Sequence, residues 1–136
     1  MQVTVTLTAV QTMDGESNRT EQTMAGTLEK TNDGVVLQYR EPPQEEEDGA
    51  AVTVTVRADR VVIDRRGSTV SQMLLEAGKR HLCRYDTPYG RLMLHTRTSF
   101  LSWDGVGVLR AVYALEMQDM QTDHEIEIRI KEVSSC

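Results

Sequence analysis

The sequence predicts an all-β fold, an antiparallel up-and-down closed barrel of about 8–10 strands. Three observations carry this. Apolar residues recur with period two along most of the chain, the spacing of a half-buried strand. The apolar runs are separated by short stretches rich in Gly, Asn, Asp and Ser, so consecutive strands join through hairpin-length turns. No segment carries a convincing helical stripe. A meander of this many strands removes its open edges by closing on itself. A two-sheet sandwich is the competing arrangement, but most of the connections are too short for Greek-key wiring. The 136 residues are read as one domain.

The elements follow in order. Val3, Val5, Leu7 and Ala9 alternate with polar residues, and turn-forming residues from Met13 to Asn18 end that strand. Thr20 to Lys30 resumes extended structure, with Met24, Gly26 and Leu28 on one face. Asn32-Asp33-Gly34 makes a tight hairpin into Val35–Arg40, because these residues tolerate positive φ. Glu41 to Gly49 holds two prolines and four successive acids and reads as an exposed loop. It lacks the spacing and central Gly of a calcium loop. Ala51–Arg57 places Val52, Val54 and Val56 on one face, Arg60–Arg66 contains the run Val61-Val62-Ile63, and Thr69–Leu75 is the next strand. Arg91–Leu101 puts Leu92, Leu94, Thr96, Thr98 and Phe100 on one face, and a turn at 102–107 follows. Val108–Met117 is long, with Leu109, Ala111, Tyr113, Leu115 and Met117 together. A polar connection at 118–123 precedes His124–Val133, where Ile126, Ile128 and Ile130 point inward.

Composition bounds the function classes. The net charge is −6, which argues against wholesale nucleic-acid binding. No apolar run is long enough to span a membrane, and no export signal is visible, so the expectation is a cytoplasmic protein without a membrane partner. Cys83 and Cys136 lack a CxxC partner and are expected to be free thiols rather than a disulfide. The charge is uneven. Residues 57–97 carry nine Lys/Arg against four Asp/Glu, a net of +5, and the remainder carries six against seventeen, a net of −11. Solvated strand faces explain this most simply. A basic surface at Arg65, Arg66, Arg80 and Arg84 that docks an acidic partner, or a second copy of the chain, is the functional reading.

The densest mix of Tyr, His, Arg and Cys lies in residues 71–97. Two registers compete for the hairpin around Thr87-Pro88-Tyr89-Gly90. A type I turn with Gly90 in a bulge sets Cys83 opposite His95 and points Leu82 and Arg84 inward. A four-residue loop from Asp86 to Tyr89 points His81, Cys83 and Tyr85 inward with Leu92 and Leu94. Turn chemistry favours the first. Burial favours the second, because an inward Arg84 needs an acidic partner, and the balance lies slightly with the second.

Ser71-Gln72-Met73, Gly78-Lys79-Arg80-His81-Leu82, Tyr85-Asp86-Thr87-Pro88-Tyr89-Gly90 and the closing Glu125-Ile126-Glu127-Ile128-Arg129-Ile130-Lys131-Glu132 resemble the YwiB-like family of bacterial calycin-type β-barrel proteins of unknown function. The resemblance implies a calycin- or lipocalin-like closed barrel in the cytoplasm. It implies no activity and supplies no functional residues.

Barrels of about eight strands leave just enough room for one small ligand. The leading expectation is therefore a non-enzymatic barrel that binds a small, partly apolar molecule in its lumen, with His81, Tyr85, Tyr89 and Tyr113 as candidate ligand-binding residues. Aliphatic side chains filling the lumen are the bland alternative, and a hydrogen-bonded core histidine is the bland reading of His81. His81, His95 and His124 are not at metal-ligand spacing, and a Cys83–His95 pair has no oxyanion-donor motif beside it, so no metal, cofactor or catalytic residue is expected. Tyr85 and Tyr89 among arginines are a thin version of a nucleic-acid face.

Overall fold

A computed structural model describes residues 1–42 and 49–133. The acids at 45–48 and Cys136 lie outside the described residues, and with them the calcium and disulfide readings. The chain forms ten strands: β1 (Gln2–Met13), β2 (Glu16–Thr31), β3 (Gly34–Arg40), β4 (Ala51–Val56), β5 (Val61–Arg66), β6 (Val70–Leu75), β7 (Arg80–Thr87), β8 (Gly90–Trp103), β9 (Val108–Met117) and β10 (Met120–Glu132). Each pairs antiparallel with its sequence neighbours, and β1 pairs with both β2 and β10, so the sheet is a closed up-and-down barrel. Ten is an even number of alternating strands, so the first and last run in opposite directions and can pair. Val5 faces Met24 on one side and Ile130 on the other.

The turns are tighter than the sequence suggests. Asp14 and Gly15 both take positive φ and close β1–β2 as a two-residue primed turn, whose twist matches that of the strands. The expected connection at 118–123 shrinks to Gln118-Asp119, with Gln118 at φ 48 and Met117 paired to Met120. The polar residues after Met120 still alternate. Thr122 and His124 point inward while Gln121 and Asp123 point to water, and the polar character of both sets hid the strand.

The hairpin in question closes on Thr87–Gly90, with Pro88-Tyr89 as its two central residues and Gly90 at φ 135. Cys83 then faces Leu94 and Tyr85 faces Leu92. The inward set is the one that burial favoured, but the loop is two residues and not four. Thr87 Oγ1 holds the turn, donating to Gly90 O at 2.9 Å and accepting from Tyr89 N at 3.2 Å.

One expected face is interrupted. The β8–β9 register shifts between Thr98 and Phe100, so Ser99 is an extra residue. Phe100 therefore turns outward, 47% exposed, and Leu101 and Trp103 take the inner face instead.

The middle of the barrel is packed. Val3, Val5, Leu37, Val54, Val61, Leu75, Leu109, Ala111 and Ile128 are each 2% exposed or less, so none presents appreciable surface to a water-sized void. A ligand running through the centre has no room; openings exist at the ends.

Candidate functional site

The hairpins β1–β2, β5–β6, β7–β8 and β9–β10 gather at one end of the barrel, here called the mouth, together with Glu41 just past β3. Near the mouth the inner faces of β7 to β10 line an open apolar cavity of about 230 Å³. Leu92, Leu94, Leu115, Met117 and Met120 supply its aliphatic wall, and Tyr85 and Thr122 supply hydroxyls. Period two explains the set. Once Cys83 faces Leu94, Tyr85, Leu92 and Leu94 share the inner face with Leu115, Met117 and Met120 across the next two strands.

Beside that wall runs a polar row. Arg65, Ser71 and Tyr85 are successive register partners on β5, β6 and β7. Arg65 follows Val61 and Ile63 on the inner face, so its side chain points into the barrel. Its Nη2 donates to Glu41 Oε2 at 2.8 Å, and its Nε is buried without a hydrogen-bond partner among the described residues. The phenol of Tyr39 lies near this pair. Burial, reinforced by the Glu41 carboxylate, pushes its pKa up to about 12, so it stays protonated at neutral pH. Further in, the Tyr113 ring stacks on His124 with centroids 5.1 Å apart. Burial pushes Tyr113 up to about 12 and pushes His124 below the ordinary histidine value.

The opposite end has charged rims. Trp103 stands between two clefts of about 300 and 420 Å³. Arg57, Asp59 and Glu76 rim the first, and Lys30, Lys131 and Glu132 rim the second. Above the first cleft β6 leaves its partner, since its pairing with β7 stops at Gln72–Arg84. The departing chain bonds to β8 instead. Thr96 Oγ1 donates to Leu74 O at 2.8 Å, and Ala77 bridges Thr98. Glu76 is buried in this gap. His81 Nε2 donates to its Oε1 at 2.9 Å, and Lys79 Nζ lies 3.2 Å from Oε2.

The hydrogen bond from His81, opposed by burial and aided by Lys79, holds the Glu76 carboxyl below its ordinary value of 4.5. A depressed folded-state pKa stabilises the fold above the unfolded value and loses that contribution as pH falls through the folded value. The barrel is therefore expected to lose stability as pH drops below about 4.5, and Glu76→Gln is expected to flatten part of that slope. Urea midpoints measured from pH 6 downward check this; identical slopes in the two proteins count against it.

The candidate residues named from the sequence separate in space. Tyr85 lines the mouth cavity, Tyr113 is buried in the core, and His81 serves Glu76 in the gap. Tyr89 is 100% exposed on the turn tip and reaches no lumen, because the two-residue turn projects it outward. The four arginines do not form one basic face. Arg65 points inward to Glu41, Arg80 Nε contacts Glu116 at 3.2 Å, and Arg84 and Arg91 share Asp86 at 2.9 Å each. Arg66 is exposed on the outer face at the end of β5. Cys83 is a buried free thiol that faces Leu94, not His95. Among the described residues no three His, Cys, Asp or Glu side chains converge as a metal site requires.

Residues 5–130 match the family model described as Domain of unknown function (DUF1934). The chain belongs to the DUF1934 family. Among solved structures it is similar to the ywiB protein from Bacillus subtilis, with 21% identity over 97% of this chain and 92% of that one and a TM-score of 0.75. That likeness bears on the fold, and it matches the closed barrel above. Ail, the attachment invasion locus protein of Yersinia pestis, aligns at 9% identity over 96% of this chain and 97% of that one with a TM-score of 0.30, too low to bear on the fold. No curated protein matches. In this DUF1934 chain, sequence reasoning missed the mouth wall and the inward Arg65. The parity of Arg65 with Val61 and Ile63 was the available signal.

Proposed function

We propose that the protein is a non-enzymatic barrel that binds a small, partly apolar molecule at the mouth. The apolar cavity beside Tyr85 carries this reading: five aliphatic side chains and two hydroxyls converge in a concavity at the end of an otherwise packed barrel. Binding sites are mostly apolar with a few placed polar groups. The clefts beside Trp103 are larger, but charged residues rim both of them. The mouth cavity, at about 230 Å³, falls below the usual range of about 300 Å³ upward. It suits a short-chain ligand whose end projects into solvent.

Two measurements test this. Native mass spectrometry of the purified protein is expected to show a co-purified small molecule on the barrel. Calorimetric titration with octanol is expected to saturate, and Met120→Glu at the exposed rim is expected to weaken it about tenfold, the order of one buried methionine side chain. Absence of saturable binding, or equal binding by the variant, contradicts the proposal.

A further inference from the structure

We infer that Arg65 is the anchor for an anionic head group, and that the mouth ligand is a small amphiphile with a carboxylate and a short apolar tail. This rests on the mouth-binding reading and goes beyond it by naming the chemistry of the ligand. The first observation is placement. A guanidinium on the inner face of an apolar barrel is costly unless opposite charge meets it. Along its strand Arg65 follows Val61 and Ile63, and across the ladder it faces Val52 and Ser71. Among the described residues Glu41 is the acid that meets it.

The second observation is incomplete pairing. A carboxylate can meet a guanidinium through two parallel hydrogen bonds. Glu41 makes one, from Nη2 at 2.8 Å, and Nε is left buried without a partner among the described residues. Glu41 itself lies outside the strands. It follows the end of β3 at Arg40, and its backbone N–H donates to Ala50 O at 2.8 Å. Its carboxylate thus stands where a ligand's carboxylate would stand, tethered to the rim and using half of the fork.

The third observation is nearness to the cavity. Tyr85 lines the apolar wall, and Arg65 lies two strands away, about 10 Å at the usual spacing. The residue between them in the ladder is Ser71, which has a small side chain. The Tyr85 hydroxyl and the Tyr39 phenol flank the row as hydrogen-bonding groups. A ligand with its tail against Leu94, Leu115 and Met120 would carry its carboxylate past Ser71 to Arg65, where it replaces Glu41.

The test compares octanoate with octanol by calorimetry at pH 7 and low salt. Octanoate is expected to bind at least about tenfold more tightly. Arg65→Met is expected to collapse that preference towards parity, and Arg65→Lys to keep part of it, since lysine supplies the charge without the fork. Glu41→Gln removes the tethered competitor and is expected to tighten octanoate several-fold. Equal binding of octanoate and octanol by the unaltered protein overturns the anchor while leaving mouth binding intact. A preference that survives Arg65→Met overturns it too. Weaker octanoate binding by Glu41→Gln shows that Glu41 holds Arg65 for the ligand rather than standing in for it, and overturns the displacement. Binding of neither compound overturns the mouth reading and this one together.

Discussion

Leu37→Ala is expected to lower the unfolding free energy by about 2–5 kcal/mol, the range for truncating a fully buried leucine. Leu37 is 1% exposed at the centre of β3, paired with Leu28 and Val54 on the strands beside it. A barrel wall cannot collapse easily onto a lost side chain, because each strand is held on both sides by its ladder. The cavity term should therefore be near full size. Met120→Ala at the rim removes a side chain that is already 54% exposed, so it is expected to cost less than about 1 kcal/mol. Equilibrium urea unfolding of the two variants checks the contrast. A small effect at Leu37 would mean that the middle of the barrel is not packed as described.

Thr98→Val is expected to raise stability by about 1–2 kcal/mol, and Thr96→Val to lower it by about 1–3 kcal/mol. Both threonines are buried on the inner face of β8, at 1% and 0% exposure. Thr96 Oγ1 donates to Leu74 O at 2.8 Å and lies 3.7 Å from the Cys83 thiol that donates to it, so valine there strands a carbonyl. Thr98 Oγ1 has no partner among the described residues, and valine there removes an unmade hydrogen bond at almost constant shape. Thr96 and Thr98 differ by one step of the same face, yet the expected signs are opposite. The reason is the departure of β6 from β7, which brings the Leu74 carbonyl to Thr96 and leaves Thr98 to a bridge with Ala77. If both variants destabilise equally, the hydroxyl of Thr98 is bonded after all.

Much of this barrel was legible because period two leaves few alternatives. Val3, Val5 and Leu7 on one strand and Ile126, Ile128 and Ile130 on another can be inner faces only of extended chain, and short turns between such strands force a meander. What was lost followed from features that period two does not record. Ser99 adds one residue to β8, and past it the face reverses, so Phe100 was assigned inward when Leu101 and Trp103 are. The Thr87–Gly90 hairpin admitted two parities from its turn residues, and the cost of an inward Arg84 without an acidic partner favoured the one the structure has.

The candidate site was less legible, because its contacts are distant in sequence. Arg65 meets Glu41 across 24 residues and Arg80 meets Glu116 across 36. A local reading therefore saw a basic segment where the fold makes ion pairs. The mouth cavity had the same obstacle. Tyr85, Leu115 and Met120 belong to three strands, and only the closed register brings them together.

The central claim is that the barrel is packed through its middle and takes its ligand at the mouth. Methyl NMR of the methionines during an octanol titration tests it most directly. Met117 and Met120 line the mouth cavity, and Met24 is buried opposite Val5 in the packed layer. The account predicts that the Met117 and Met120 methyl signals move and saturate together while Met24 stays in place. Movement of Met24 ahead of the other two, or no movement at Met117 and Met120, would contradict it.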